Sequence, residues 1–350
     1  MGQLSDFVGV RVFMMSWGGG NPFPQMIEGL LPHGTEVHHR TLRSLALGRR
    51  DVGVVMLQWI EHLFRKGGIV AAMRNAAIYL AMIAVIRLRG YPVLWTIHNL
   101  TSHESRHPRI ERMTRILLAR LSSRVLTMTA GSINTVSRHL RISRSKIRIV
   151  EHPTFDSVTS IPNSRIESRQ RLAWDQTRKP TCVFVGRLAS YKGLDRLASA
   201  YRACDSSRRP ALLVVGRTES GDESTLEPSV TELVDAGAVV EDKWLDDTEL
   251  VDLVTASNAV VIPYRVNLNS GIAILAMSCG RRIITFDSDA AYWILDQHRF
   301  QVGVELVEDD RQLTKALERL DTHSDPSPIS NMKAVNNQLR RVLEEVLPVE

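Results

Sequence analysis

Short apolar runs alternate along the chain with longer segments of helical spacing. Strands are predicted at 8–17, 36–41, 52–58, 92–97, 125–129 and 147–150, and again at 181–187, 212–215, 239–240, 259–262 and 283–286. Between them, helices are predicted at 23–31, 69–89, 108–121, 194–203, 227–237, 246–256 and 272–279, with a later one ending near Leu320 and a last one over 331–346. Strands that alternate with helices predict parallel sheets covered on both faces, an α/β chain. Asp246 followed by Glu249 has the form of a capping box opening the helix to Ala256. The segment 69–89 is apolar almost all round, which predicts a helix packed on the sheet with its arginines at the rim.

The polar stretch 156–180, bounded by Pro162 and Pro180, predicts a linker. It divides an N-terminal domain, 1–155, from a C-terminal one, 181–325. The Pro326-Ser327-Pro328 break sets off a terminal segment, 326–350, expected to cross back to the first domain. At 350 residues the chain is long enough for two domains, and 44% hydrophobic with 23% charged residues is a globular composition. Three cysteines without paired spacing point to a reducing compartment and not to a disulfide framework.

The start, Met1 to Asp6, lacks the basic region of a secretory leader. The run Ala76–Ile86 is about half the length needed to span a bilayer, so a buried or interfacial helix is expected there. Charge separates the halves. Residues 1–155 hold 21 Lys and Arg against 8 Asp and Glu, a balance of +13, while the remainder carries −7. A basic half attracts anionic partners, a membrane surface foremost. Arg109, Arg112 and Arg115 are spaced to share a helix face. These segments lack the aromatic residues that stack bases, which argues against nucleic acid.

Candidate chemistry falls at predicted strand ends, where open α/β sheets bind ligands. After the first strand, Gly18 and Gly19 permit close approach to the backbone, but the cluster is not a dinucleotide fingerprint. After the third strand come Trp59 and Glu61, and after the fourth come His98, Asn99, His103 and Glu104, titratable groups placed where a sugar hydroxyl could be deprotonated. In the second half, Gly186-Arg187 is followed by Lys192-Gly193, two fixed cations beyond a strand. The loop carrying Asn267, Asn269, Ser270 and Gly271 opens a small-residue helix whose first N–H groups can hold a phosphate. Asp287-Ser288-Asp289 matches an Asp-x-Asp metal motif superficially, but it follows late strands, so no metal site is assigned.

The Gly-Arg, four residues, Lys-Gly spacing and the Ala276-Met277-Ser278-Cys279-Gly280 segment resemble glycosyltransferases of the GT-B fold, in which two Rossmann-like domains face each other across a cleft. The paired glutamates of the large retaining family are replaced here by Asn267 and Leu275. Asn269-Ser270-Gly271, together with His98, Asn99, His103 and Glu104, is more similar to the β-mannosyltransferases that build bacterial exopolysaccharides on a lipid carrier. The resemblance implies transfer of a hexose, mannose from GDP-mannose, to a lipid-linked oligosaccharide, with inversion and without cofactor or metal. It implies that Glu104 or His98, with Glu61 in reserve, is the base. Gly186, Arg187, Lys192, Asn267, Asn269, Ser270 and Gly271 would hold the donor, and Gly18, Gly19, Asn99 and His103 would face the acceptor. The implied location is the inner face of the cell membrane, peripherally bound. A retaining transferase using another nucleotide sugar, a nucleotide-sugar epimerase on the same architecture and a basic membrane or RNA scaffold stay open.

Overall fold

The computed structural model describes residues 7–15, 21–49, 51–65, 67–102, 106–157, 159–162, 164–172, 174, 180–218, 221–264, 270–287, 303–321 and 325–347. The chain forms two compact units, 1–153 with 331–350 and 154–330. In chain order the first contains β1 (Arg11–Met15), α1 (Phe23–Gly29), β2 (Glu36–His38), α2 (Leu42–Leu47), β3 (Gly53–Leu57), α3 (His62–Arg65), α4 (Ile69–Leu88), β4 (Val93–Thr96), α5 (Pro108–Leu121), β5 (Arg124–Thr127), α6 (Ser132–Leu140) and β6 (Ile147–Ile149). All its described strand pairings are parallel, in the order β2-β1-β3-β4-β5-β6. Every residue of β3 and β4 is buried, as expected of strands with both faces covered.

The second unit contains α7 (Arg165–Arg171), β7 (Thr181–Val185), α8 (Leu194–Ala203), β8 (Ala211–Val215), α9 (Glu223–Asp235), β9 (Val239–Glu241), α10 (Asp247–Ala256), β10 (Ala259–Ile262), α11 (Gly271–Ser278), β11 (Arg282–Phe286), β12 (Val304–Val307) and α12 (Asp310–Glu318). Its sheet is also parallel, ordered β12-β11-β10-β7-β8-β9. The two six-stranded sheets with alternating helices are the expected α/β architecture. The capping box is present: Glu249 N–H donates to Asp246 Oδ1 at 2.7 Å and Asp246 N–H to Glu249 Oε2 at 3.1 Å.

The last helix, α13 (Met332–Val346), belongs to the first unit. Val335, Leu339, Val342 and Leu343 enter a core shared with Val12, Met14, Val54, Met56 and Leu126. Its polar face is tied down as well. Glu151 N–H donates to Gln338 Oε1 at 2.8 Å, and Asn336 Nδ2 donates to the Leu30 carbonyl at 2.8 Å.

Two segments differ from the sequence expectation. Within 156–180, read as a linker, α7 packs on α10: Ser168 Oγ donates to Asp252 Oδ1 at 3.1 Å and Arg169 Nε to the Ala256 carbonyl at 2.9 Å. One face of the helix, with Ser168 and Arg169, meets these partners, while Ile166, Glu167, Gln170 and Arg171 stay exposed. Helix α4 is 20 residues long, and among the described residues it is the one helix long and apolar enough to cross a membrane. It is not buried all round. Ala72, Ala76, Tyr79, Ile83 and Ile86 face the core, and the opposite face is exposed.

Candidate functional site

In the second sheet the strand order reverses between β7 and β10, and such a switch point leaves a crevice beyond the carboxyl ends of the two strands. Gly186 and Arg187 follow β7, and Pro263 and Tyr264 follow β10. Close backbone approach shapes this end of the sheet. A Cβ on Gly216 would lie 1.7 Å from the Gly186 carbonyl oxygen, and one on Gly193, whose φ is +70°, would lie 2.0 Å from the Pro263 oxygen. Only glycine fits at either place.

Lys192 is brought back over this end by the short turn Ser190–Lys192, and its Nζ donates to the Tyr264 hydroxyl at 3.0 Å while lying 4.4 Å from that ring's centre. Burial and the charge of Arg187 work against the ammonium, but Tyr264 and Tyr191 outweigh them and hold its pKa above the ordinary lysine value. It is a fixed cation at neutral pH. An ideal Cβ on Gly186 would be 3.5 Å from Lys192 Nζ and 3.9 Å from Ile272 Cγ1, so the cation and the first turn of α11 converge on one stretch of backbone.

Helix α11 starts where Ser270 Oγ accepts the Ala273 N–H at 3.2 Å. The N–H groups of Gly271 and Ile272 precede any i−4 acceptor within the helix, and the dipole concentrates positive potential there. Arg187 is exposed and acts on Lys192 through its charge. This arrangement of one held cation, one exposed cation and a helix N-terminus suits a diphosphate. Leu275, at the position of the retaining family's carboxylate, is fully buried. Asn267 and Asn269 lie outside the described residues.

In the first unit the switch point lies between β1 and β3. Gln58, Trp59 and Glu61 follow β3, and His98 and Asn99 follow β4. His98 stacks on Trp59 at 4.1 Å between ring centres and meets the edge of Phe23 at 4.7 Å. Phe23 also meets His152 at 5.0 Å. The Gln58 amide donates to Met14 Sδ at 3.4 Å, which turns its oxygen toward His98 Nε2 at 3.0 Å. With the amide in this orientation, Nε2–H of His98 donates to the Gln58 oxygen. Burial, then the charges of His152 and Arg115, hold its pKa well below the usual histidine value. The imidazole is neutral at pH 7.

Glu61 is 6% exposed, and its Oε1 accepts from Arg115 Nη2 at 2.8 Å, whereas Oε2 has no hydrogen-bond partner among the described residues. Arg115 also donates from Nε to Glu111 Oε1 at 2.8 Å and from Nη1 to the Asn99 carbonyl at 2.9 Å. One guanidinium thus fixes the carboxylate after β3, the backbone after β4 and helix α5. This corrects the expectation of a basic face. Arg109 and Arg112 are exposed, but Arg115 is 2% exposed and inside an ion-pair network. The i,i+4 pair Glu111–Arg115 was the available signal for it, while Gln58 and Tyr264 carried none.

Of the expected residues, the structure brings Gly186, Arg187, Lys192, Ser270 and Gly271 to one end of the second sheet, and Glu61, His98 and Asn99 to the corresponding end of the first. Gly18, Gly19, His103 and Glu104 lie outside the described residues, as do Ser288 and Asp289. Among the described residues no group of His, Cys, Asp and Glu is placed to hold a metal ion.

Residues 179–323 match the family model for glycosyl transferases group 1. A GDP-mannose:glycolipid 4-beta-D-mannosyltransferase of Xanthomonas campestris pv. campestris is 25% identical over 284 residues, which cover 79% of this chain and 73% of that protein. Among solved structures, Anabaena Alr3699/HepE in complex with UDP superposes with a TM-score of 0.63 at 13% identity, covering 97% of this chain and 100% of that one. Sucrose-phosphate synthase from Thermosynechococcus elongatus gives 0.62 at 14%, covering 97% and 96%. WaaG, a glycosyltransferase involved in lipopolysaccharide biosynthesis, gives 0.56 at 14%, covering 96% and 95%. At such identities the superpositions show the fold, and that fold is the two-domain α/β arrangement of GT-B glycosyltransferases.

Proposed function

We propose that this chain is a glycosyltransferase that takes a sugar from a nucleoside diphosphate and delivers it to a lipid-linked saccharide. The observation that carries the reading is the convergence of Lys192 and the first turn of α11 on Gly186 at the β7/β10 switch point. These groups neutralise the diphosphate in the ground state and the further charge it gains as the glycosidic bond to it breaks. A reaction supported by fixed protein cations in this way needs no bound metal. The similarity to a GDP-mannose:glycolipid mannosyltransferase favours GDP-mannose as donor and a glycolipid as acceptor, and the basic N-terminal half favours a place at an anionic membrane surface.

We assign an inverting displacement. A base takes the proton of the acceptor hydroxyl, the oxygen forms its bond to the anomeric carbon, and the nucleoside diphosphate leaves from the opposite face. Glu104 or His98 is the proposed base, with Glu61 behind them. The low pKa of His98 weakens it as a proton acceptor, and Arg115 holds one oxygen of Glu61, so Glu104 is preferred. Asn99, His103, Gly18 and Gly19 are the proposed acceptor-side residues, and Asn267 and Asn269 complete the donor loop.

Thermal unfolding with GDP, UDP, ADP or dTDP tests the donor reading. A ligand held by the folded chain raises the midpoint by mass action, and GDP is expected to raise it most. Lys192→Ala should remove that rise; no response to any of the four nucleotides would overturn the assignment. In a transfer assay Glu104→Gln should slow turnover ~10²-fold or more with the GDP response retained. Conversion of the donor into an epimeric nucleotide sugar, without acceptor, would instead favour the epimerase alternative.

A further inference from the structure

The outer face of α4 is the largest feature that the proposed chemistry does not use. Val70, Met73, Ala77, Ala81, Val85 and Leu88 recur along it at helical spacing, all exposed, with Val70 at 76% and Leu88 at 88%. A helix face of this kind in water demands an explanation, since scattered apolar residues are ordinary but a continuous stripe is not. The neighbouring α5 adds exposed Met113 and Leu117. Both helices follow right-handed crossovers that run in the same direction along the sheet, so they lie on the same face of it.

Charge identifies what covers the stripe. The exposed side chains beside it are Arg74 on α4 and Arg109, Arg112 and Arg120 on α5, and the helices' single acidic residue, Glu111, is buried in its pair with Arg115. On the other side α2 contributes exposed Arg43 and Leu47. We propose that this face is a docking surface for an anionic lipid bilayer, with the α4 stripe in the headgroup boundary and the arginines of α5 and α2 on lipid phosphates.

A second copy of the chain fits less well, because an isologous contact through this face would set the arginines of each copy against those of the other. Spanning is excluded for the folded chain. Core contacts recur along α4 from Ala72 to Ile86, and Arg87 and Arg89 tie its end to the carbonyls of Tyr91 and Gly48 at 2.8 and 2.6 Å. The helix therefore lies in the plane of the surface, like an interfacial amphipathic helix whose polar rim is supplied by its neighbours. This inference deepens the lipid-linked acceptor reading but stands on different residues.

Cosedimentation of the full chain with vesicles of phosphatidylcholine, with and without phosphatidylglycerol, tests it in the absence of nucleotide. Binding is expected to the acidic vesicles and to weaken with salt. Met73→Glu with Ala81→Glu should reduce it ~10-fold or more. Arg109→Gln, Arg112→Gln and Arg120→Gln together should reduce binding at low salt on the order of 100-fold. All these positions are exposed, and the nucleotide response of the second unit should persist, so failure here is distinct from failure of the donor reading. A Val70→Trp variant adds a readout independent of those substitutions: its fluorescence should shift to the blue on acidic vesicles. Equal sedimentation with and without vesicles, unchanged binding by the α4 variants, or a dimer dissolved by Met73→Glu without vesicle binding would each overturn the proposal.

Discussion

His152 shows how one buried ring links the site to stability. Burial lowers its pKa from 6.5 to about 4, against the hydrogen bond its Nδ1–H donates to the Pro153 carbonyl at 2.7 Å. Between those values the unfolded chain binds a proton that the folded chain does not. The contribution is therefore complete above pH 6.5 and is lost as pH falls toward 4, by up to about 3 kcal/mol. Urea midpoints should fall between neutral pH and about pH 5, and His152→Asn should flatten that slope. His98 shifts in the same direction, so part of the slope will remain; an undiminished one would contradict the account. Lys192 is the opposite case, a cation kept charged by the hydroxyl and ring of Tyr264. Its spacing after β7 was legible, but its partner lies 72 residues away and follows another strand.

At the scale of elements, α5 matters through a single interior side chain. Arg115→Ala would leave the Glu61 and Glu111 carboxylates buried without their cation and cost about 3–5 kcal/mol. Arg115→Lys should recover only part, since an ammonium cannot reach both carboxylates and the Asn99 carbonyl in the geometry of the planar fork. Denaturant titration measures this, and a loss under about 1 kcal/mol would show that the network is dispensable. Helix limits were read well where caps or periodicity spoke, as for 108–121, 194–203 and the capping box at Asp246. They were misread elsewhere. The helix expected over 227–237 starts earlier, at Glu223, and holds Pro228 in its interior as α9. For α4, an all-round apolar sequence carries no information about which half of its surface has a neighbour.

At the scale of the molecule, the first unit is closed by a segment nearly 180 residues further along the chain. Val335, Leu339, Val342 and Leu343 are all at most 3% exposed in its core. At roughly 1.5–3 kcal/mol each, their burial is comparable with the whole stability of a small domain. A chain ended after Ser330 should lose the cooperative unfolding of the first unit and become sensitive there to limited proteolysis, while the second keeps its fold and its nucleotide response. Retention of a protease-resistant first unit would show that α13 is an accessory.

The sequence alone determined the strand-helix alternation, the division of charge between the halves and the cation spacing beyond β7. Each is a local property, set by periodicities of two and 3.6 residues, by composition, or by a turn a few residues long. Only the tertiary structure decided that Arg115 is interior while Arg109 and Arg112 are not, that Tyr264 meets Lys192, and that one face of α4 is exposed. These depend on which strands become neighbours and which helices cover them. That is settled by contacts between residues distant in the chain, to which local patterns are blind.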